Sequence, residues 1–365
     1  MTQPKFHNII IPVITIASST RNAEAEFLRF IFSIMVFLSH MNVLPNGALA
    51  VDFFFLLTGF LTVLSLHKSI QKGITPKSTF DFILHKIKSF YPELLIATVI
   101  SIIVYFVAKP ISFSLLFGAA KTAINGIIPV LKMTGCGISV TDFNGATWYL
   151  SSMIIALLIV YPFFVRVSSH SLLFIIGILL CGFLCVYHGR LNGVYTFIGI
   201  TYEGNIRAVG ELLIGGAACR AVLMFSNFKL TLLASIIATV IKYVAFVVII
   251  ALSIVQSTRC HGVALCAALA LIILVFSEST VDKGIYKNKI CLFLGSISLP
   301  FYLSHRAITV CSGSLMPWKN CSLWQQSLIC FIYSIIASLI VIVASSYIRK
   351  NYSQIIKKII HKAAD

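Results

Sequence analysis

The chain has 365 residues, 59% of them hydrophobic and only 11% charged, with a mean hydropathy of +0.98. Such a composition excludes a soluble globular domain and makes lipid the solvent. The formal net charge of +17 would suggest nucleic acid in a soluble protein; here the basic residues gather in short segments between apolar runs, which argues against nucleic acid and for membrane loops.

In chain order, residues 1–23 carry Lys5 and a short apolar stretch from Ile9 to Ala17, and read as a cytoplasmic or interfacial lead-in rather than a span. Apolar runs long enough to cross a hydrocarbon core of about 30 Å then recur at 24–43, 49–67, 91–108, 147–165, 171–187, 205–224, 230–254, 262–277, 291–311 and 324–347. The expected fold class is all-α: a polytopic bundle of about ten transmembrane helices forming one domain, 24–347, followed by a basic tail, 348–365, that reads as an amphipathic interfacial helix. The segment 109–146 mixes Lys121, Lys132, Pro129 and several glycines with apolar residues and reads as a re-entrant or interfacial element. With the N-terminus inside, about two-thirds of all Lys and Arg fall on one side, which predicts that both termini are cytoplasmic.

The ten cysteines show no paired short spacing of the kind that binds zinc, and no metal site is expected. Cys311 and Cys321 flank a predicted outer loop and are candidates for a bridge in an oxidising compartment.

Ionisable residues inside a bilayer are costly, so each is a candidate for function. Arg29 and His40 stand eleven residues apart in the first span; eleven steps of an α-helix return to nearly the same face about 16 Å further along the axis. A cation and a titratable imidazole therefore share one edge. Asp52 opens the second span after a loop containing Pro45 and Gly47, which could bring its carboxylate to the imidazole as an orienting partner, or make it a helix cap. Arg207 and Glu211, four apart, either neutralise one another or serve an acceptor. His305 and Arg306 end the ninth span, and Trp148 sits where a span meets the outer interface, a common place for an aromatic anchor. His67, His85, His170 and His261 fall at loops and read as solvated.

The stretch LRFIFSIMVFLSHMNVLPNGALAVDFFFLLTGFLT, with Arg29 and His40 at that spacing followed by Asp52, Phe54 and Gly59, resembles the opening of the acyltransferase 3 family of membrane O-acyltransferases. FILHKIKSFYPELL, ATWYLSSMIIALLIVYPFF, IRAVGELLIGG and LGSISLPFYLSH resemble later family segments in the expected order, so the likeness runs from about Glu26 to about His305. It implies an O-acetyltransferase of the bacterial inner membrane that binds no resident cofactor and takes acetyl-coenzyme A as donor. The implied acceptor is a hydroxyl of a surface polysaccharide or lipid-linked glycan. By the same likeness His40, Asp52 and Arg29 are catalytic, and Lys86 and Lys88 join Arg29 in holding the donor; Trp148, Arg207 and His305 are the candidates for contacting the acceptor. Where the family commonly has an Arg-x-x-Arg pair, this chain has Lys86 and Ser89 with Lys88 alongside; a lysine offers phosphate a point charge without the bidentate fork of arginine. The competing expectation is a transporter or flippase, for which buried ionisable residues also mark a pathway.

Overall fold

The computed structural model describes residues 21–135, 142–191, 193–226, 228, 230–256, 260–277, 279–282, 284–315 and 321–364, with side chains as far as residue 351. The lead-in up to residue 20 and the side chains of the basic tail lie outside the described residues. The described chain is an all-helical bundle of α1 (Ala23–His40), α2 (Ala50–Gln71), α3 (Thr79–Ala108), α4 (Phe113–Ile127), α5 (Trp148–Arg166), α6 (His170–His188), α7 (Glu203–Phe225), α8 (Leu232–Ile254), α9 (His261–Phe276), α10 (Lys289–Leu315) and α11 (Leu323–Ala364). Seven helices are long and apolar enough to cross a membrane: those built on α2, α3, α5, α6, α7, α8 and α11. α9 is a shorter apolar helix, and α1 and α10 carry the polar residues discussed below.

Helix starts follow local chemistry. The side chains of Asn22, Ser78, Ser112, Ser169 and Thr231 accept hydrogen bonds from backbone amides in the first turns of α1, α3, α4, α6 and α8, satisfying donors that would otherwise be orphaned in or near lipid. Two expected boundaries shift. α3 begins at Thr79, well before the apolar run, because an amphipathic turn bearing His85, Lys86 and Lys88 continues the helix below it. α11 runs without a break through the basic tail to Ala364, so the tail is a continuation of the last helix rather than a separate interfacial one.

α2 and α7 form the buried centre. Residues 52, 56, 59 and 63 of α2 share one helical edge, and that edge meets α7: Gly59 lies directly against the Leu212 carbonyl, Gly215 directly against the Leu56 carbonyl, and Val63 beside Gly216. Two reciprocal glycine notches let the backbones approach closely, as small residues do between membrane helices. α1 and α10 run parallel to one another, since Glu26 faces Gly295, Ser298 Oγ donates to the Arg29 carbonyl at 2.9 Å, and Phe37 packs on Phe301 and His305.

The chain ends of the described helices define two faces. α1 starts beside the end of α9, where Asn22 Nδ2 donates to the Val275 carbonyl, and Arg349 of α11 reaches the start of α3; this first face also carries Lys68, Lys72, Lys86, Lys88, Arg166 and Arg220. His40 lies towards the second face. From there α4 runs back along α3, ending where Tyr91 Oη donates to the Ile127 carbonyl at 2.9 Å, and the chain returns to α5. The buried Lys132 closes this hairpin, donating to Asp142 Oδ1 at 2.7 Å, the Asn144 carbonyl at 2.9 Å and Thr147 Oγ1 at 3.1 Å. All three ammonium protons are satisfied, which makes Lys132 a structural clamp.

Candidate functional site

α1 places Arg29 and His40 on the edge that packs against α10, as the eleven-residue spacing predicts. At the second-face end His40 stacks on His305, with ring centroids 5.3 Å apart and planes inclined by 22°. His305 is fully buried, whereas His40 is half-buried and reachable. Nδ1 of His305 lies 3.1 Å from the Phe301 carbonyl, which can only accept, so that nitrogen carries the proton. Its Nε2 has no hydrogen-bond partner. Phe37 and Phe301 pack around the pair with centroid separations to His305 of 6.2 and 5.9 Å, fixing both ring planes.

Residues 302 and 306 share the neighbouring edge of α10. Tyr302 lies 5.8 Å from His305 and 5.7 Å from Tyr149 by ring centroids, and Tyr149 Oη is 3.2 Å from Thr58 Oγ1. A file of rings thus joins the histidine pair to Tyr149. Arg306 continues past Tyr302 towards Gly145 and its charge acts on His40. The wall opposite is built by the loop before α5, where Asn144 Nδ2 donates to the Leu303 carbonyl at 2.8 Å, and by Tyr195, whose Oη donates to the Gly145 carbonyl at 3.4 Å.

Near the first face, Arg29 Nη1 pairs with Glu26 Oε2 at 3.1 Å, and Arg21 pairs with the same carboxylate at 2.8 Å. Lys86 lies half-buried within electrostatic reach of Arg29. Lys88 is exposed, and two residues' rotation along α3 sets it on another face from Lys86. Beside Ser89 the structure supplies an arginine that local spacing did not reveal: Arg349 of α11 donates to the Ser89 carbonyl and to Glu93, both at 2.6 Å.

Several expectations are corrected. Asp52 does not orient His40: its edge of α2 faces α7, where Arg207 engages it, and no hydrogen bond or ion pair joins it to the imidazole among the described residues. Arg207 also pairs with Glu211 at 2.8 Å, so one buried guanidinium serves two buried carboxylates at the α2–α7 contact. The spacing that places 52 on the same edge as Gly59 is the signal that could have shown this. Trp148, half-buried at the first turn of α5, packs edge-on against Phe55 at 6.0 Å and lies beside Gly204. His67 and His261 are buried rather than solvated, His261 Nδ1 accepting from the Leu191 amide at 3.2 Å. Cys311 and Cys321 both carry free thiols.

Buried charge at the centre, a tyrosine file and a stacked imidazole pair are carried here on the helical scaffold of a multi-pass membrane protein. The acyltransferase 3 family model, described as an acyltransferase domain, matches residues 22–346, nearly the whole chain, and the protein belongs to that family of membrane acyltransferases. No curated protein and no solved structure matches the chain.

Proposed function

We propose that the protein is a membrane O-acetyltransferase that takes an acetyl group from acetyl-coenzyme A at the basic first face, there the cytoplasmic face of a bacterial inner membrane, and delivers it to a hydroxyl of a surface or lipid-linked polysaccharide at the second. The observation that carries this reading is the placement of a reachable imidazole, His40, on the same helical edge as Arg29. Lys86 and Arg29 draw the donor phosphates by Coulomb attraction in a low-dielectric setting, and the thioester arm extends about 16 Å along α1 to the histidines.

His40 acts as the general base. As the acceptor hydroxyl oxygen attacks the thioester carbonyl, its proton passes to the imidazole; the carbon–sulfur bond then breaks, and the departing sulfur takes the proton to leave as free thiol. His305 positions His40 by stacking and by a proton fixed on Nδ1. Asp52, Arg207 and Glu211 hold α2 against α7 in support of the site. The test is expression in a host without the activity, with surface glycans weighed by mass spectrometry: a gain of one acetyl unit that disappears in His40→Ala supports the enzyme, and altered glycan export with no change in mass supports a transporter instead.

A further inference from the structure

Arg306 is a strong cation towards the second face that the mechanism leaves unused. It is half-buried one residue beyond His305, with Nε and Cγ close enough that a methyl group on Gly145 would sit 3.5 and 3.6 Å from them. Tyr195 reaches the same Gly145 through its hydroxyl, and Tyr105 packs in a cluster with Ala307, its ring stacked on Phe143 at 3.9 Å with Lys109 over it at 5.2 Å. Among the described residues the Arg306 guanidinium has neither a hydrogen bond nor an ion pair, its carbonyl alone accepting from Thr309 Oγ1. A half-buried guanidinium with no protein partner has donors free for an anion.

The chain itself has almost nothing to offer. It holds eleven Asp and Glu in all. Near the second face Asp142 is taken by Lys132, Asp52 and Glu211 are taken by Arg207, and Glu203 is sealed beneath Gly193 at the start of α7. Glu24, Glu26, Glu93, Asp81 and Asp282 lie with partners at the first face. Glu278 and Asp365 lie outside the described residues.

We infer that Arg306, with the exposed Tyr195 beside it and Lys109 as a second charge, binds an anionic group on the acceptor, a carboxylate or a phosphate on the sugar whose hydroxyl is presented to His40. A planar guanidinium matches two oxygens of either group, and the exposed Tyr195 ring suits a sugar. The acceptor is then an acidic glycan rather than a neutral one. This rests on the acetyl-transfer reading for its consequence, although the anion site itself does not.

The purified full-length chain is assayed with acetyl-coenzyme A and three probes: a methyl glucoside, the matching methyl glucuronide and the methyl glucoside 6-phosphate. Thermal stabilisation by each probe is measured in parallel. The expected result is a kcat/KM at least about tenfold higher for an anionic probe than for the glucoside, with Arg306→Gln closing that gap and Arg306→Lys restoring part of it; a tenfold gap corresponds to about 1.4 kcal/mol. Preference for the glucuronide or for the phosphate identifies which anion is taken. Equal rates on all three probes in the wild type overturn the inference, as does an equal loss in Arg306→Gln on neutral and anionic probes, which would place the guanidinium in the transfer itself. Stabilisation by an anionic probe that Arg306→Gln abolishes, with no acetyl transfer to any probe, leaves the anion site standing and removes the acetyltransferase reading; no stabilisation and no transfer overturns the site.

Discussion

The imidazole of His305, buried and tethered through Nδ1 to the Phe301 carbonyl, lies 5.3 Å from that of His40 in a near-parallel stack. Two helices that touch at Glu26 and Gly295 near one face thus converge on a pair of histidines near the other, and the buried ring holds the reachable one in place.

If His305 acts through His40, its removal changes the rate more than donor binding. His305→Ala is expected to lower kcat about fivefold, the equivalent of about 1 kcal/mol for a lost aromatic contact, with the KM for acetyl-coenzyme A unchanged and the pH profile of kcat displaced. His305→Phe should recover the yield of folded protein but not the wild-type pH profile. Steady-state kinetics on purified protein in detergent check both.

The Asp52–Arg207–Glu211 cluster is structural, and breaking it leaves charge buried without a partner. Arg207→Met is expected to destabilise by about 3–5 kcal/mol, seen as a lower midpoint of thermal unfolding in detergent and a smaller folded yield. A variant that folds normally but fails in acceptor binding alone would return Arg207 to the acceptor role that its sequence position left open.

Close approach of α2 and α7 depends on having no side chain at Gly59 and Gly215. Either Gly→Ala change drives a methyl into a carbonyl of the facing helix, and a cost of about 1–3 kcal/mol is expected for each. Gly182 of α6, whose added methyl meets nothing within 4 Å, is the control: Gly182→Ala should leave the unfolding midpoint within error.

A pH dependence comes from the loop between α9 and α10. Burial would lift the Asp282 carboxyl, but hydrogen bonds from Lys242 and Tyr243, both 2.7 Å, outweigh it and hold the group below its ordinary value. A carboxyl depressed in the folded state contributes stability above its unfolded value near 4, and loses that contribution as pH falls through the lower folded value. Thermal stability should therefore drop as pH is taken below about 4, and Asp282→Asn should flatten this part of the profile while lowering stability at neutral pH.

The helices were legible because an apolar run in lipid must satisfy its backbone internally, and expected and observed helices agree from α5 to α10 within a few residues, although seven described helices rather than about ten have the length and hydropathy to span. The shared edge of Arg29 and His40 was equally plain from helical geometry. Asp52 was misplaced because a short loop sets the distance between helix ends and not the direction of a side chain: its partner lies on α7, and the edge it shares with Leu56 and Gly59 decides where it points. His305 stood in a family-like motif, yet its stacking on His40 could not be read, since no local pattern records how α1 and α10 align. Arg349 beside Ser89 is a contact of the same long-range kind.

The most direct test of the central claim uses the full chain reconstituted in lipid vesicles, with acetyl-labelled coenzyme A supplied to the Lys86 face and lipid-linked glycans from the host membrane as acceptor. Wild type should move label onto the glycan, and His40→Ala should do so about a hundredfold to ten-thousandfold more slowly, the range of a lost general base. Equal transfer by the two proteins would contradict the account.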